Sequence, residues 1–397
     1  MERCQHNYKP TFILILFLGL MALQNCSMIF PVVAHFADLP EPTGPYTVAT
    51  RTSCWTDSAH DETFTETIDF RRIVVQVWYP IDGPGQGPQK YYIDNPELRL
   101  PALSKQLRLP VTLFRHFDKV KTNSYTSKPD QALRTKFPVI LFSHGLSGMR
   151  FQNTALMEEL ASQGYVVFAA DHSYAANVTI FEDGETAQYR AGKRRITKGS
   201  QLEDIDLSQI AILVNDLRFM ADMICINKPD PLLVDLPYDS QIIGLMGHSL
   251  GGAAILNALA VDNRFQAAMV LDGWYIPIPD DVIAQGVHQP VFHLGQKEWT
   301  DRFNYQLMDQ FFLHSQGPIY KLLIPQTQHT DFTDMPLFTP FSLYIGYTES
   351  RDPEWLDKLL RRNTVAFFDT YLKGSDPLTL RNTILSEPQT NGYIFIP

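Results

Sequence analysis

The chain has 397 residues, 45% of them hydrophobic and 19% charged, with a formal net charge of −10. This is an ordinary globular composition with material for a large core, and the length suits two average domains or one α/β domain with insertions. The negative balance argues against a nucleic-acid partner but leaves a lipid surface open, because local basic patches can act against the average.

In chain order, the first feature is the uncharged apolar run Thr11–Leu23 (TFILILFLGLMAL), preceded by Arg3 and Lys9. It matches the hydrophobic region of a secretory leader and is short of the ~18 residues that a spanning helix requires. Residues 1–37 therefore read as a signal peptide, with an uncleaved membrane anchor as the alternative, and the protein as exported. Cys4 and Cys26 lie in or beside this leader. Cys54 and Cys225 remain for the mature domain, either paired or as two free buried thiols. No C-x-x-C or H-E-x-x-H is present, so no metal or cofactor is expected.

Pro40–Tyr46 is a Pro/Gly-rich lead-in, and Ile73–Tyr79 reads as a strand closed by Pro80. Asp82–Pro88 is a loop whose glycines precede no helix, which argues against a phosphate cradle. The stretch to Lys136 is irregular, with room for short helices. Beyond it the pattern alternates. Strands are expected at Phe137–Phe142, Tyr165–Ala170, Ile242–Met246 and Val291–Leu294, with Val270–Leu271 ending another and Tyr320–Ile324 as the last. Helices are expected at Gln152–Ser162, Ser208–Ile226, Ala253–Ala260 and Arg351–Tyr371. Such alternation implies a mostly parallel sheet with helices on both faces, one domain over residues 38–397. Ala176–Glu203 is a polar insertion carrying Arg190, Lys193, Arg194, Arg195 and Lys198, readable as a lid, an interfacial patch or a solvated loop.

Gly247-His248-Ser249-Leu250-Gly251 fits G-x-S-x-G, the nucleophile elbow of serine hydrolases, and it lies between an expected strand and an expected helix. Glycines two residues either side of the serine permit the close strand–helix approach. The helix start places free N–H groups where negative charge develops. A serine hydroxyl also needs a base and an acid to orient that base, in the chain order Ser, acid, His for an α/β-hydrolase fold. His329 follows the last expected strand and a polar turn and is the expected base; His288, His293 and His314 read as structural or surface residues. Asp272 stands at a strand's carboxyl end and is favoured as the acid, with Glu298 and Asp301 as rivals after the next strand. The N–H groups of Leu250 and Leu146 are the expected oxyanion donors, the latter from the loop after Phe137–Phe142. His144 and His248 are expected to brace loops by hydrogen bonds. Trp274 and Trp299 are candidates for lining an apolar pocket, with core packing as the alternative.

With these residues in place, the chain resembles the plasma-type platelet-activating-factor acetylhydrolases, a calcium-independent phospholipase A2 family. The resemblance runs through Gly44-Pro45-Tyr46-Thr47-Val48, Val77-Trp78-Tyr79-Pro80, Phe142-Ser143-His144-Gly145-Leu146, the elbow with Gly252, Phe265–Trp274 and Gln328-His329-Thr330-Asp331-Phe332. It implies an α/β-hydrolase fold and a triad of Ser249, Asp272 and His329, which raises Asp272 above Glu298. It also implies oxyanion donors at Leu146 and Leu250, and a short or oxidised sn-2 acyl group of a phospholipid as substrate. Leu250 stands where the animal enzymes carry phenylalanine, Gly273 replaces a small residue with a smaller one, and no match to a lipoprotein-binding surface is evident. The alternatives are a general carboxylesterase or polyester hydrolase and, in another class, an inactive lipid-binding protein of the same fold.

Overall fold

The computed structural model describes residues 36–126, 133–190, 207–226, 230–299, 301–350, 352–386 and 391–395. The expected leader therefore lies outside the described residues, except for its last two positions. The same holds for Lys193, Arg194, Arg195 and Lys198 of the insertion. Among the described residues no helix is long and apolar enough to cross a membrane.

An eleven-stranded sheet forms the centre. In chain order its strands are β1 (Thr47–Asp61), β2 (Phe70–Ile81), β3 (Gln89–Tyr91), β4 (Lys121–Tyr125), β5 (Phe137–Ser143) and β6 (Val166–Asp171). After a separate hairpin of β7 (Val178–Ile180) and β8 (Thr186–Gln188) come β9 (Tyr238–His248), β10 (Phe265–Leu271), β11 (Val291–Gln296), β12 (Ile319–Ile324) and β13 (Asn391–Phe395). The spatial order is β13-β12-β11-β10-β9-β5-β6-β2-β1-β4-β3. From β6 through β12 all neighbours are parallel, while β2 against β6 and β13 against β12 are antiparallel. The expected mostly parallel sheet is present, but Tyr320–Ile324 is not its last strand, because β13 adds to the edge of β12.

Alternation along the buried strands divides the core into two layers. In β5, Val139 and Leu141 face one layer, and Ile140 and Phe142 the other. The first layer packs under α3 (Leu207–Ile226) and α4 (Leu250–Val261), through residues such as Leu213, Leu217 and Ile255. The second packs under α2 (Thr154–Ser162) and α9 (Pro353–Leu372), through Met157, Leu160, Phe367 and Phe368. The remaining helices are α1 (Pro96–Leu107), α5 (Asp280–Gln285), α6 (Arg302–His314), α7 (Met335–Phe338), α8 (Phe341–Tyr344) and α10 (Pro377–Leu385).

This is the α/β-hydrolase arrangement, and its order fixes where a site can form. From β5 the chain crosses to β6 on one side and then returns to β9 on the other. The helices after β5 and β9 accordingly lie on opposite faces, and a crevice opens at the carboxyl ends of these two strands.

Two buried charge clusters tie the edges to this centre. Arg99 of α1 and Arg150, each 1% exposed, share the carboxylates of Asp94 and Asp171. Arg99 also donates to the Val178 carbonyl at 2.7 Å, and Arg150 to Gln76 Oε1 at 3.2 Å. In the second cluster Arg71 grips Asp216 through two nitrogens, at 2.7 and 3.0 Å, and Glu62 at 2.7 Å. Asp216 in turn accepts from His172 Nδ1 at 2.9 Å, and His172 Nε2 accepts from the Ser143 hydroxyl at the end of β5 at 3.0 Å. In the described part of the insertion Thr179 and Ala187 of the β7–β8 hairpin are fully buried, while residues 182–186 at its tip are exposed. Cys54 and Cys225 are free thiols.

Candidate active site

Ser249 sits between β9 and α4 with φ 57° and ψ −119°, a left-handed conformation that costs a non-glycine residue energy. Two glycines make this turn possible. A Cβ on Gly247 would overlap the Gly251 backbone, and one on Gly251 would overlap the Ser143 carbonyl of β5. The helix starts at the residue after the serine, so α4 is longer at its beginning than the expected Ala253–Ala260. The serine's backbone is bound on both sides to the strand that carries Asp272. Its N–H donates to Leu271 O at 3.1 Å, and its carbonyl accepts from Trp274 N at 3.0 Å.

Asp272 is fully buried at the carboxyl end of β10. Its carboxylate accepts from His329 Nδ1 at 2.6 Å, from Gln296 N at 2.9 Å, from Gln296 Nε2 at 2.8 Å and from Trp299 Nε1 at 3.1 Å. Burial alone would raise its pKa. The His329 hydrogen bond and charge, with the other donors, outweigh burial and hold it below the ordinary carboxylate range. The rival carboxylates lie elsewhere in role: Glu298 is exposed, and Asp301 caps α6 by accepting from Phe303 N at 2.9 Å. Gln296 at the end of β11 and Trp299 in the loop after it, the loop that also carries Glu298, supply donors to Asp272.

His329 opens a short 3-10 turn after β12 and keeps 36% of its side chain exposed. With Nδ1 donating to Asp272, its Nε2 is left as an acceptor. Asp331 holds the turn, accepting from Gln328 N at 2.8 Å, Glu349 N at 3.0 Å and Ser350 N at 3.1 Å. Of the other histidines, His288 is exposed, His293 is buried against the Tyr275 hydroxyl at 3.1 Å, and His314 bonds the Ile283 carbonyl at 3.0 Å.

The loop after β5 brings Gly145 and Leu146 against the elbow; a Cβ on Gly145 would stand 3.2 Å from Ser249 Cβ. Within it the Ser147 and Gly148 N–H groups are engaged, by Ala175 O at 3.0 Å and Gly145 O at 2.8 Å. Leu146 N–H has no acceptor among the described residues, and neither has Leu250 N–H in the first turn of α4. His144 is buried, its Nδ1 donating to Gly145 O at 2.7 Å and its Nε2 accepting from His172 N at 3.2 Å. Burial first, then the neighbouring His172, push its pKa down to about 4. It braces the loop as a neutral ring.

Ser249, His329, His248, Gly145 and Leu146 share one cavity of about 310 Å³. Its far walls are apolar, from Leu103 and Leu107 of α1, Leu113 and Phe114 after it, and Phe338 and Phe341 of α7 and α8. No Asp, Glu, Lys or Arg among the described residues lines it. Of the two readings for the tryptophans, core packing holds and pocket lining does not. Trp274 belongs to the core and Trp299 is spent on Asp272, while the lining comes from the stretch that the sequence left irregular and from the segment after His329.

The model of the family "Platelet-activating factor acetylhydrolase, isoform II" matches residues 32–211 and 235–382. Similar curated proteins include platelet-activating factor acetylhydrolase of Cavia porcellus, 25% identical over 60% of this chain and 58% of that protein. The Bos taurus protein of that name is 29% identical over 54% of this chain and 52% of its own length. A probable 1-alkyl-2-acetylglycerophosphocholine esterase of Arthroderma benhamiae is 25% identical over 75% of this chain and 76% of that protein. The chain thus spans little more than half the length of the mammalian relatives it matches. Among solved structures, a ferulic acid esterase from Streptomyces cinnamoneus superposes with a TM-score of 0.71 at 25% identity, covering 90% of this chain and 99% of that one. The chain belongs to the platelet-activating factor acetylhydrolase, isoform II, family.

Proposed function

We propose that this protein is a serine carboxylic ester hydrolase. The observation that carries the reading is the 2.6 Å bond from His329 Nδ1 to a fully buried carboxylate, beside a serine on a strained elbow. In this mechanism Ser249 Oγ attacks the ester carbonyl carbon while its proton passes to His329 Nε2. Asp272 stabilises the resulting imidazolium and fixes the ring's tautomer. The tetrahedral oxyanion lies against the N–H groups of Leu146 and Leu250, which have no acceptor among the described residues, as that role requires. His329 then returns the proton to the leaving alkoxide and the C–O bond breaks. Water, deprotonated by the same histidine, hydrolyses the acyl-enzyme and frees Ser249.

The substrate we infer is a phospholipid with a short or oxidised sn-2 acyl group, as the names of the relatives suggest and as an apolar cavity of this size accommodates. A broader carboxylesterase is the second reading, favoured by the near-complete overlap with a ferulic acid esterase. Labelling with a fluorophosphonate tests the chemistry: unlabelled wild-type protein would end the enzyme reading. Comparing turnover of a platelet-activating-factor analogue, short-chain nitrophenyl esters, a feruloyl ester and a polyester film separates the substrates. Preference for the phospholipid supports the first reading, and indifference to head group supports the second.

A further inference from the structure

His248, which precedes the nucleophile in the elbow, is buried and packs against the base. Its Nε2 lies 3.1 Å from the backbone carbonyl of His329, and the two rings stack with centroids 4.6 Å apart at 30°. A carbonyl only accepts, so Nε2 carries the proton and Nδ1 is left as an acceptor. The Gln152 side-chain amide meets that acceptor, with Nε2 at 3.0 Å. Burial first, then the adjacent His329, hold the His248 pKa down to about 3, so the ring stays neutral and the two hydrogen bonds decide its tautomer.

Gln152 and its neighbour also hold the rest of the turn that carries the base. The Gln152 carbonyl accepts from Asp334 N at 2.9 Å, and Asn153 Nδ2 donates to Phe332 O at 2.8 Å. Asp272 orients the imidazole of His329 but does not fix its backbone. The residue preceding the nucleophile does so directly, through one hydrogen bond.

On the reading that Ser249 and His329 form the catalytic pair, we propose that His248 and Gln152 are positioning residues, a clamp that sets the base's main chain in register with the elbow. The clamp acts through the Nε2–H···O bond, with Gln152 selecting the tautomer that can make it. Its loss misplaces His329 Nε2 relative to Ser249 Oγ. That penalty falls on the transition state rather than on substrate binding.

The test is a set of variants with steady-state kinetics on a soluble nitrophenyl ester and a thermal melt of each protein. His248→Phe keeps a flat ring over His329 and removes the donor. His248→Gln places an amide N–H near the former Nε2 and removes the ring. We expect kcat to fall roughly 10- to 100-fold in His248→Phe with KM within about twofold, and most of that loss to be restored in His248→Gln. Gln152→Leu should show the same kcat-only signature, several-fold in size, and serves if His248→Phe fails to fold. Wild-type kcat in folded His248→Phe or Gln152→Leu overturns the clamp, as does equal loss in His248→Phe and His248→Gln. Inactive wild-type protein would instead refute the esterase reading.

Discussion

Replacing Asp272 by asparagine changes one atom of the site and should remove most of its activity. The carboxylate accepts four donors: Oδ1 from Gln296 N and Trp299 Nε1, and Oδ2 from His329 Nδ1 and Gln296 Nε2. An asparagine NH2 at the Oδ1 position would face a backbone N–H and an indole N–H, neither of which can accept. At the Oδ2 position it faces Gln296, whose amide can turn to accept, and His329, whose ring can switch tautomer. The second placement therefore wins, leaving His329 with its proton on Nε2, where it cannot take one from Ser249. The expected loss is about 10⁴-fold in kcat, or about 5.5 kcal/mol. Burst-resolved nitrophenyl ester hydrolysis measures it, and a urea melt checks that Asp272→Asn remains folded. Glu298→Gln is the paired control, expected within about twofold of wild type because the residue is exposed. Less than a tenfold loss in Asp272→Asn, or abolition in Glu298→Gln alone, would refute the argument.

Ser249→Gly should be more stable to urea than Ser249→Ala by about 1 kcal/mol, because glycine adopts φ 57° freely and alanine does not; equal midpoints would show that the elbow stores no such strain. Asp216→Asn leaves Arg71 buried with half its compensation and should cost about 3–5 kcal/mol at pH 7. Burial raises the Asp216 pKa, but the Arg71 charge and the His172 bond outweigh it and bring it to about 2, below the ordinary carboxylate value of about 3.9. A lowered folded pKa stabilises above the unfolded value and is lost as pH falls towards the folded one. The gap between wild type and Asp216→Asn should thus narrow from about pH 4 down to about pH 2 and stay constant above; a gap that grows on acidification contradicts the assignment. Leu113→Trp narrows the cavity and should depress turnover of hexanoyl more than acetyl nitrophenyl esters, whereas parallel changes would place the acyl chain elsewhere.

The buried parallel strands were readable because each is a short apolar run bounded by turn residues, as Phe137–Ser143 shows. The strand β1 escaped because it lies near the sheet's edge with only part of its length buried, so Thr47–Asp61 mixes Thr, Ser, Asp and Trp without an apolar run. The edge strand β13 is five residues long and pairs through its backbone, which leaves little side-chain signal. Ser249, Asp272 and His329 were singled out by local context, each following an expected strand, His329 after a further polar turn. The cavity walls were not, since Leu103, Leu113 and Phe341 look in sequence like any core residue. Only the tertiary fold turns them towards Ser249. Likewise nothing local marks Gln152 as the partner of a histidine 96 positions away.

The cluster of Arg99, Arg150, Asp94 and Asp171 has a consequence for how this sequence can diverge. Each arginine bonds both carboxylates, so losing any one member leaves charge unmatched in a cluster whose Arg99, Arg150 and Asp171 are buried and whose Asp94 is partly exposed. Removing one partner of a buried pair costs about 3–5 kcal/mol, a large share of the ~5–15 kcal/mol that holds a typical domain folded. These four positions cannot drift independently. A relative lacking one of them is expected to lack, or to have exchanged, the others as well.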